Sequence, residues 1–237
     1  MTRLPIVDRP SPNAGDRRPG PDGAPAPIDM LVLHYTDMES AEASLARLCD
    51  PAAEVSAHYL IDEDGTIHRL VDEEKRAWHA GLGAWGSVEE VNSRSIGIEI
   101  VNGGHDWPDA DGRLPAYPEA QIAAVISLCQ GILSRWPIPQ TRIVGHSDIA
   151  PSRKADPGEH FPWQRLAGEK IGLWPLGAGD ASAPVAGSLH AIGYNVADLR
   201  AAITAFQRRW MPERVDGVED EAVRGRADAV AQAYSAG

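Results

Sequence analysis

The sequence predicts an α/β domain built on a mixed central β-sheet flanked by helices, followed by a small all-α C-terminal domain. Three observations carry this prediction. Between residues 28 and 174, short apolar runs of strand length are interleaved with helical patterns. Two of those runs flank an Asp-Gly turn, so a hairpin stands beside crossover connections, which gives a mixed sheet. From residue 189 onward only helical periodicity is present.

The elements follow in order. Residues 1–27 are polar and rich in Pro, Gly and Arg, and read as an irregular N-terminal arm. Met30-Leu31-Val32-Leu33 is a continuous apolar run, the pattern of a buried strand, with His34 at its C-terminal end. Residues 39–49 carry helical spacing through Ala43, Leu45 and Leu48. Residues 56–62 and 67–71 flank Glu63-Asp64-Gly65-Thr66 and predict the hairpin. Residues 95–101 form a further strand with Glu99 inside it. Residues 118–136 read as one helix: Pro118 and Glu119 start it, and Ile122, Val125, Ile126, Cys129 and Leu133 make its apolar face. Residues 142–145 are a short strand that ends at His146. Residues 175–188 have linker composition. They separate the predicted catalytic domain (28–174) from a helical domain (189–237) with helices at 196–210 and about 220–234.

The balance of charge excludes some partners. Lys and Arg number 22 against 34 Asp and Glu, a formal net charge of -12. Nucleic acid and anionic membrane surfaces both require clustered basic residues, so neither is an expected partner. No apolar run is long enough to span a bilayer. The N-terminus has no apolar signal core, so the cytoplasm is the expected compartment, with the periplasm as the alternative if a leader was removed. Cys49 and Cys129 are expected to be buried reduced thiols, a disulfide being the alternative. Nothing in the sequence points to an obligate protein partner.

His34, His146 and Asp156 are the candidate metal ligands. Both histidines directly follow an apolar strand. Asp156 lies in the same Pro- and Gly-bearing loop as His146, which can fold back on itself. Two imidazoles and a carboxylate leave a fourth position open, as catalytic zinc requires. A histidine at a strand end is more often just a surface polar residue, so the residue types alone leave both readings open.

The surrounding blocks narrow the choice. They are Val32-Leu33-His34-Tyr35-Thr36, Val55-Ser56-Ala57-His58-Tyr59-Leu60-Ile61, Arg76-Ala77-Trp78-His79-Ala80-Gly81, Asn92-Ser93-Arg94-Ser95-Ile96-Gly97-Ile98-Glu99, Gly145-His146-Ser147-Asp148-Ile149-Ala150-Pro151 and Lys154-Ala155-Asp156-Pro157-Gly158. In this order they resemble the zinc N-acetylmuramoyl-L-alanine amidases of the phage-lysozyme and peptidoglycan-recognition-protein type. The likeness is nearest to the bacterial branch acting on anhydro-muropeptides, and covers roughly residues 28–170. The resemblance implies a Zn2+ ion on His34, His146 and Asp156, with Glu99 as the catalytic carboxylate and Lys154 as the catalytic lysine. It implies hydrolysis of the amide between the (anhydro)muramic acid lactyl group and L-Ala of the stem peptide, in peptidoglycan recycling or turnover. The partner would be peptidoglycan or soluble muropeptides. Ala57 stands where some phage-type members place a catalytic tyrosine, which favours a glutamate mechanism.

Trp78, His79, Trp85, Asn92 and Arg94 are expected to contact substrate: the indoles as a wall, the polar groups on peptide carbonyls or carboxylates. His58 is expected to be structural or to support a ligand, rather than to bind the metal itself. In the C-terminal part, Phe206-Gln207 and Asp216-Gly217 resemble features of the small three-helix peptidoglycan-binding module, although Glu221-Ala222-Val223 stands where a threonine is usual. The alternative reading is a helical cap. A non-catalytic peptidoglycan receptor on the same fold is the competing function, and a zinc peptidase acting within the stem is a third. The intact set of ligands and catalytic groups argues against the receptor.

Overall fold

A computed structural model describes residues 6–20 and 23–236. The expected irregular arm lies outside the described residues at positions 1–5 and 21–22, as does position 237 of the helical domain. The chain divides into two units, Met1–Gly81 with Glu90–Ile138, and Leu82–Glu89 with Pro139–Gly237.

The first unit holds β1 (Ile6–Asp8), β2 (Ala14–Gly15), β3 (Met30–Tyr35), α1 (Ala41–Cys49), β4 (Tyr59–Ile61), β5 (Ile67–Arg69), β6 (Arg76–Ala77), α2 (Val91–Arg94), β7 (Ser95–Ile100) and α3 (Glu119–Arg135). Its main strands lie in the order β1-β5-β4-β7-β3. β4 and β5 pair antiparallel, whereas β3 and β4 both run parallel to β7, so the sheet is mixed as expected. The hairpin closes through Asp62 N–H to Thr66 O at 2.9 Å and Gly65 N–H to Asp62 O at 3.0 Å. Gly65 sits at φ +88°, a conformation open to glycine and costly for side chains with a Cβ.

β3 and β7 are buried along nearly their whole length. Their alternation therefore sorts residues between two covered faces rather than between core and water. Ser95, Gly97 and Glu99 point to one face of β7, and Ile96, Ile98 and Ile100 to the other. α3 buries Ile122, Val125, Cys129 and Ile132. Its fully buried Gln121 donates Nε2 to Ile61 O and Val101 O, at 3.2 and 2.7 Å. Those carbonyls close the ends of β4 and β7.

The arm is more ordered than its composition suggested. β1 adds in parallel to β5, and β2 pairs antiparallel with β6. Between them, Asn13 is buried and donates to Asp50 O and Val55 O, both at 2.8 Å. Arg17 inserts its guanidinium among the carbonyls of Asn92, Ser93, Ser95 and Glu73. These bonds come from pairing with distant residues, which local composition does not report.

The second unit holds β8 (Ile143–Gly145), α4 (His146–Ile149), α5 (Trp163–Gly168), α6 (Val185–Ile192), α7 (Leu199–Trp210) and α8 (Glu221–Ala236). α6 begins inside the stretch expected to be a linker. Val185, Leu189 and Ile192 are buried and give that segment an apolar face despite its Ala, Gly and Ser content. Phe206 and Trp210 of α7 stack at 6.3 Å, and Trp210 stacks on Trp174 at 5.5 Å. Gln207 is fully buried and grips the Asp216-Gly217 turn. Its Oε1 accepts from the N–H groups of both, and its Nε2 donates to Asp216 Oδ1. Cys49 and Cys129 are free thiols, Cys129 buried and Cys49 partly so. Among the described residues no helix is long and apolar enough to cross a membrane.

Candidate metal centre

In the first unit, His34 lies within β3, in register with Glu99 of β7. Registered residues of a parallel pair share a face, so the imidazole and the carboxylate project on the same side of the sheet. His34 is 1 % exposed. Its Nε2 lies 3.0 Å from His79 Nδ1, with the rings nearly perpendicular at 79°.

The segment 92–99 builds this face. Asn92 Oδ1 accepts from the backbone N–H groups of His79 and Ala80, at 3.1 and 2.8 Å. Ser95 Oγ lies 3.1 Å from His79 Nε2. A Cβ on Gly97 would sit 2.4 Å from His79 Cγ, so glycine at this position is what makes room for the ring. His58 is wholly buried: its Nδ1 accepts from Gly97 N–H at 2.9 Å, and its Nε2 donates to Lys75 O at 3.1 Å. Burial, with Arg17 nearby, depresses its pKa to about 3, so it stays neutral.

In the second unit, His146 is the first residue of α4. Gly145 precedes it because a Cβ there would lie 2.7 Å from Pro157 Cδ. Asp148 Oδ2 accepts the Gly145 N–H at 2.8 Å, and Ser147 N–H donates to Asp156 O at 2.9 Å. The loop therefore folds back, and His146 Nδ1 comes to 3.1 Å from Asp156 Oδ2. Neighbouring donors of a tetrahedral zinc site, each at ~2.0–2.1 Å from the ion, are separated by about 3.3 Å. The pair fits that spacing, and both side chains are buried. Lys154 leaves the same loop half-buried, in a cavity lined also by Arg153, Ala155 and Asp198.

The five residues expected to contact substrate are placed differently from one another. Trp78 is half-buried, and its backbone N–H donates to Ser56 Oγ. His79 and Asn92 are buried in the supports just described. Arg94 pairs with Asp29 through both carboxylate oxygens. Trp85 is 5 % exposed, donates Nε1 to Thr141 O at 3.1 Å and packs against Tyr194 at 5.0 Å. Trp85 is thus interior to its unit rather than a wall, because Gly193 opens a seat for the indole. Asp148, Arg209, Ser95 and Arg17 support the site and were not evident from the sequence, since their partners lie far away along the chain.

His34 in the first unit, and His146 and Asp156 in the second, are buried side chains of the types that hold a metal ion. The chain belongs to the N-acetylmuramoyl-L-alanine amidase family, whose profile matches residues 24–159. It is 37 % identical over 235 residues to the N-acetylmuramoyl-L-alanine amidase AmiD of Escherichia coli, covering 87 % of this chain and 83 % of that one. It is 40 % identical over 150 residues to the 1,6-anhydro-N-acetylmuramyl-L-alanine amidase AmpD of Citrobacter freundii, covering 62 % and 72 %. The structure of E. coli AmiD in complex with anhydro-N-acetylmuramic acid-L-Ala-D-gamma-Glu-L-Lys superposes with a TM-score of 0.78 at 34 % identity, over 92 % and 93 % of the two chains. AMPDH3 from Pseudomonas aeruginosa in complex with anhydromuramic pentapeptide gives 0.76 at 36 %, over 87 % and 92 %. The chain is an enzyme of this family, hydrolysing the amide that joins N-acetylmuramic acid to L-alanine.

Proposed function

We propose that the protein is a zinc-dependent amidase that releases stem peptides from soluble anhydro-muropeptides, with His34, His146 and Asp156 holding the ion. The observation that carries the zinc reading is the buried His146–Asp156 pair at 3.1 Å. Its donors are spaced as neighbouring ligands of one ion. Support for the substrate comes from the relatives, two of which were solved with anhydromuramyl peptides.

Bound there, zinc would supply Lewis-acid polarisation of the amide carbonyl and would make a water more acidic. The chain's own groups do the rest. Glu99 takes the proton of the attacking water and passes it to the leaving amine of L-Ala. The Lys154 ammonium stabilises the oxyanion that develops on the lactyl carbonyl. Trp78 offers an indole face to the substrate. Residues 189–237 act as a peptidoglycan-binding-like domain after a catalytic domain at 28–174, a reading supported by the Gln207 grip on the Asp216-Gly217 turn.

Metal analysis tests the site. The protein should carry one equivalent of zinc, and His34→Ala, His146→Ala and Asp156→Ala should each lose it together with activity. Full zinc retention in all three would contradict the assignment. Comparing soluble anhydromuramyl-peptides with intact sacculi tests the substrate: faster turnover of sacculi would overturn the soluble-substrate reading.

A further inference from the structure

The hydrogen-bond chain behind His34 has a direction. Ser95 O–H donates to Val91 O at 2.6 Å, so its proton is committed to a group that can only accept. The remaining lone pairs of Ser95 Oγ face His79 Nε2 at 3.1 Å, which requires that nitrogen to carry the hydrogen. For a ring with one proton, His79 Nδ1 then presents a lone pair. It faces His34 Nε2 at 3.0 Å, so His34 must hold its proton on Nε2. The lone pair of His34 is left on Nδ1.

We infer that His79 is a positioning residue which, set by Ser95, fixes His34 in the Nε2–H tautomer and so presents Nδ1 as its metal-binding nitrogen. The inference rests on His34 being a zinc ligand. The relay is rigid. Ser95 is 0 % exposed and His79 7 %. Asn92 clamps the His79 backbone, and Gly97 leaves the ring just enough room. Reversing the relay would require Ser95 to give up its 2.6 Å bond to Val91 O and donate to His79 instead. An imidazole ligand needs its second nitrogen held in this way, and losing such a partner costs roughly 10–100-fold in metal affinity. The relay also accounts for why Asn92, Ser95, Gly97 and Glu99 lie together in one sequence block: three hold the histidines and the fourth stands beside them.

Zinc affinity, measured by competition with a chromophoric chelator in the full-length protein, tests the relay. His79→Ala and Ser95→Ala should weaken zinc binding by about 10–100-fold. His79→Asn should recover most of it, because its Oδ1 can occupy the place of Nδ1 as an acceptor. Ser95→Thr should also bind zinc nearly as wild type. Nitrogen-15 NMR of the metal-free wild type should show His34 as the Nε2–H tautomer, with a mixture in Ser95→Ala. His34→Ala separates the two claims. Wild-type zinc binding by His34→Ala means that the zinc reading itself fails. Loss of zinc in His34→Ala with wild-type affinity in both His79→Ala and Ser95→Ala overturns the relay alone, as does a wild-type His34 found protonated on Nδ1.

Discussion

Arg209 of α7 reaches Asp148 of α4 at 2.7 Å, with 2 % and 1 % of the two side chains exposed. Asp148 also accepts from Gly145 N–H and, at 2.6 Å, from Tyr194 O–H. Arg209 donates its other terminal nitrogen to Ile143 O and lies 4.1 Å over the Trp163 ring. A helix near the C-terminus thereby braces the turn that carries His146.

Removing one partner of a buried pair leaves an uncompensated charge, which costs about 3–5 kcal/mol. Arg209→Met should lower unfolding stability by that amount in urea titrations. Pairing it with Asp148→Asn should cost less than the sum of the single changes. An additive double variant would mean that the two residues stabilise the fold independently.

Arg17 holds the carbonyls around α2 and the start of β7. Each hydrogen bond from a charged donor contributes about 1.5–3 kcal/mol. Arg17→Ala should therefore destabilise the protein by at least about 2 kcal/mol. Arg17→Lys should recover little, since an ammonium cannot reproduce the fork. A thermal midpoint unchanged in Arg17→Ala would show that the arm contributes nothing to the β7 scaffold.

His58 makes stability depend on acidity. Its folded pKa of about 3 lies below the ordinary 6.5, chiefly because of burial. Between those values the unfolded chain binds a proton that the folded chain refuses, so stability falls as pH drops below 6.5. In His58→Asn, urea midpoints should decline less steeply than in wild type from pH 6.5 to 4.5. Parallel curves would remove His58 as a source of acid sensitivity.

The sheet was legible where local chemistry determines it. The apolar run of β3, the Asp-Gly turn between β4 and β5, and the spaced apolar face of α3 each imply their element without help from elsewhere. β1 and β2 were not legible. They are short, and Ile6 and Val7 are 41 % and 40 % exposed, so pairing rather than burial makes them strands. α6 was hidden by residues that also compose linkers. Near the site, the strand-end histidines and the loop bearing Asp156 could be read from position. The supports could not: Ser95 with His79, and Asp148 with Arg209, are joined only by the fold. Trp85 misled because a tryptophan beside a site motif looks the same in sequence whether it faces substrate or interior.

Glu99 and Lys154 should separate chemistry from metal binding. Glu99→Ala should keep its zinc and lose about 10²–10⁴-fold in kcat, the range for a general base. Lys154→Ala should lose about 10²–10³-fold, as for other oxyanion donors. Normal turnover by Glu99→Ala with full zinc would remove the carboxylate from the mechanism.

The central claim is the bond that is cut. Zinc-loaded protein incubated with anhydromuramyl-L-Ala-D-gamma-Glu-L-Lys should give free tripeptide and anhydro-N-acetylmuramic acid, resolved by mass spectrometry. Intact substrate after prolonged incubation, or cleavage within the peptide, would contradict it.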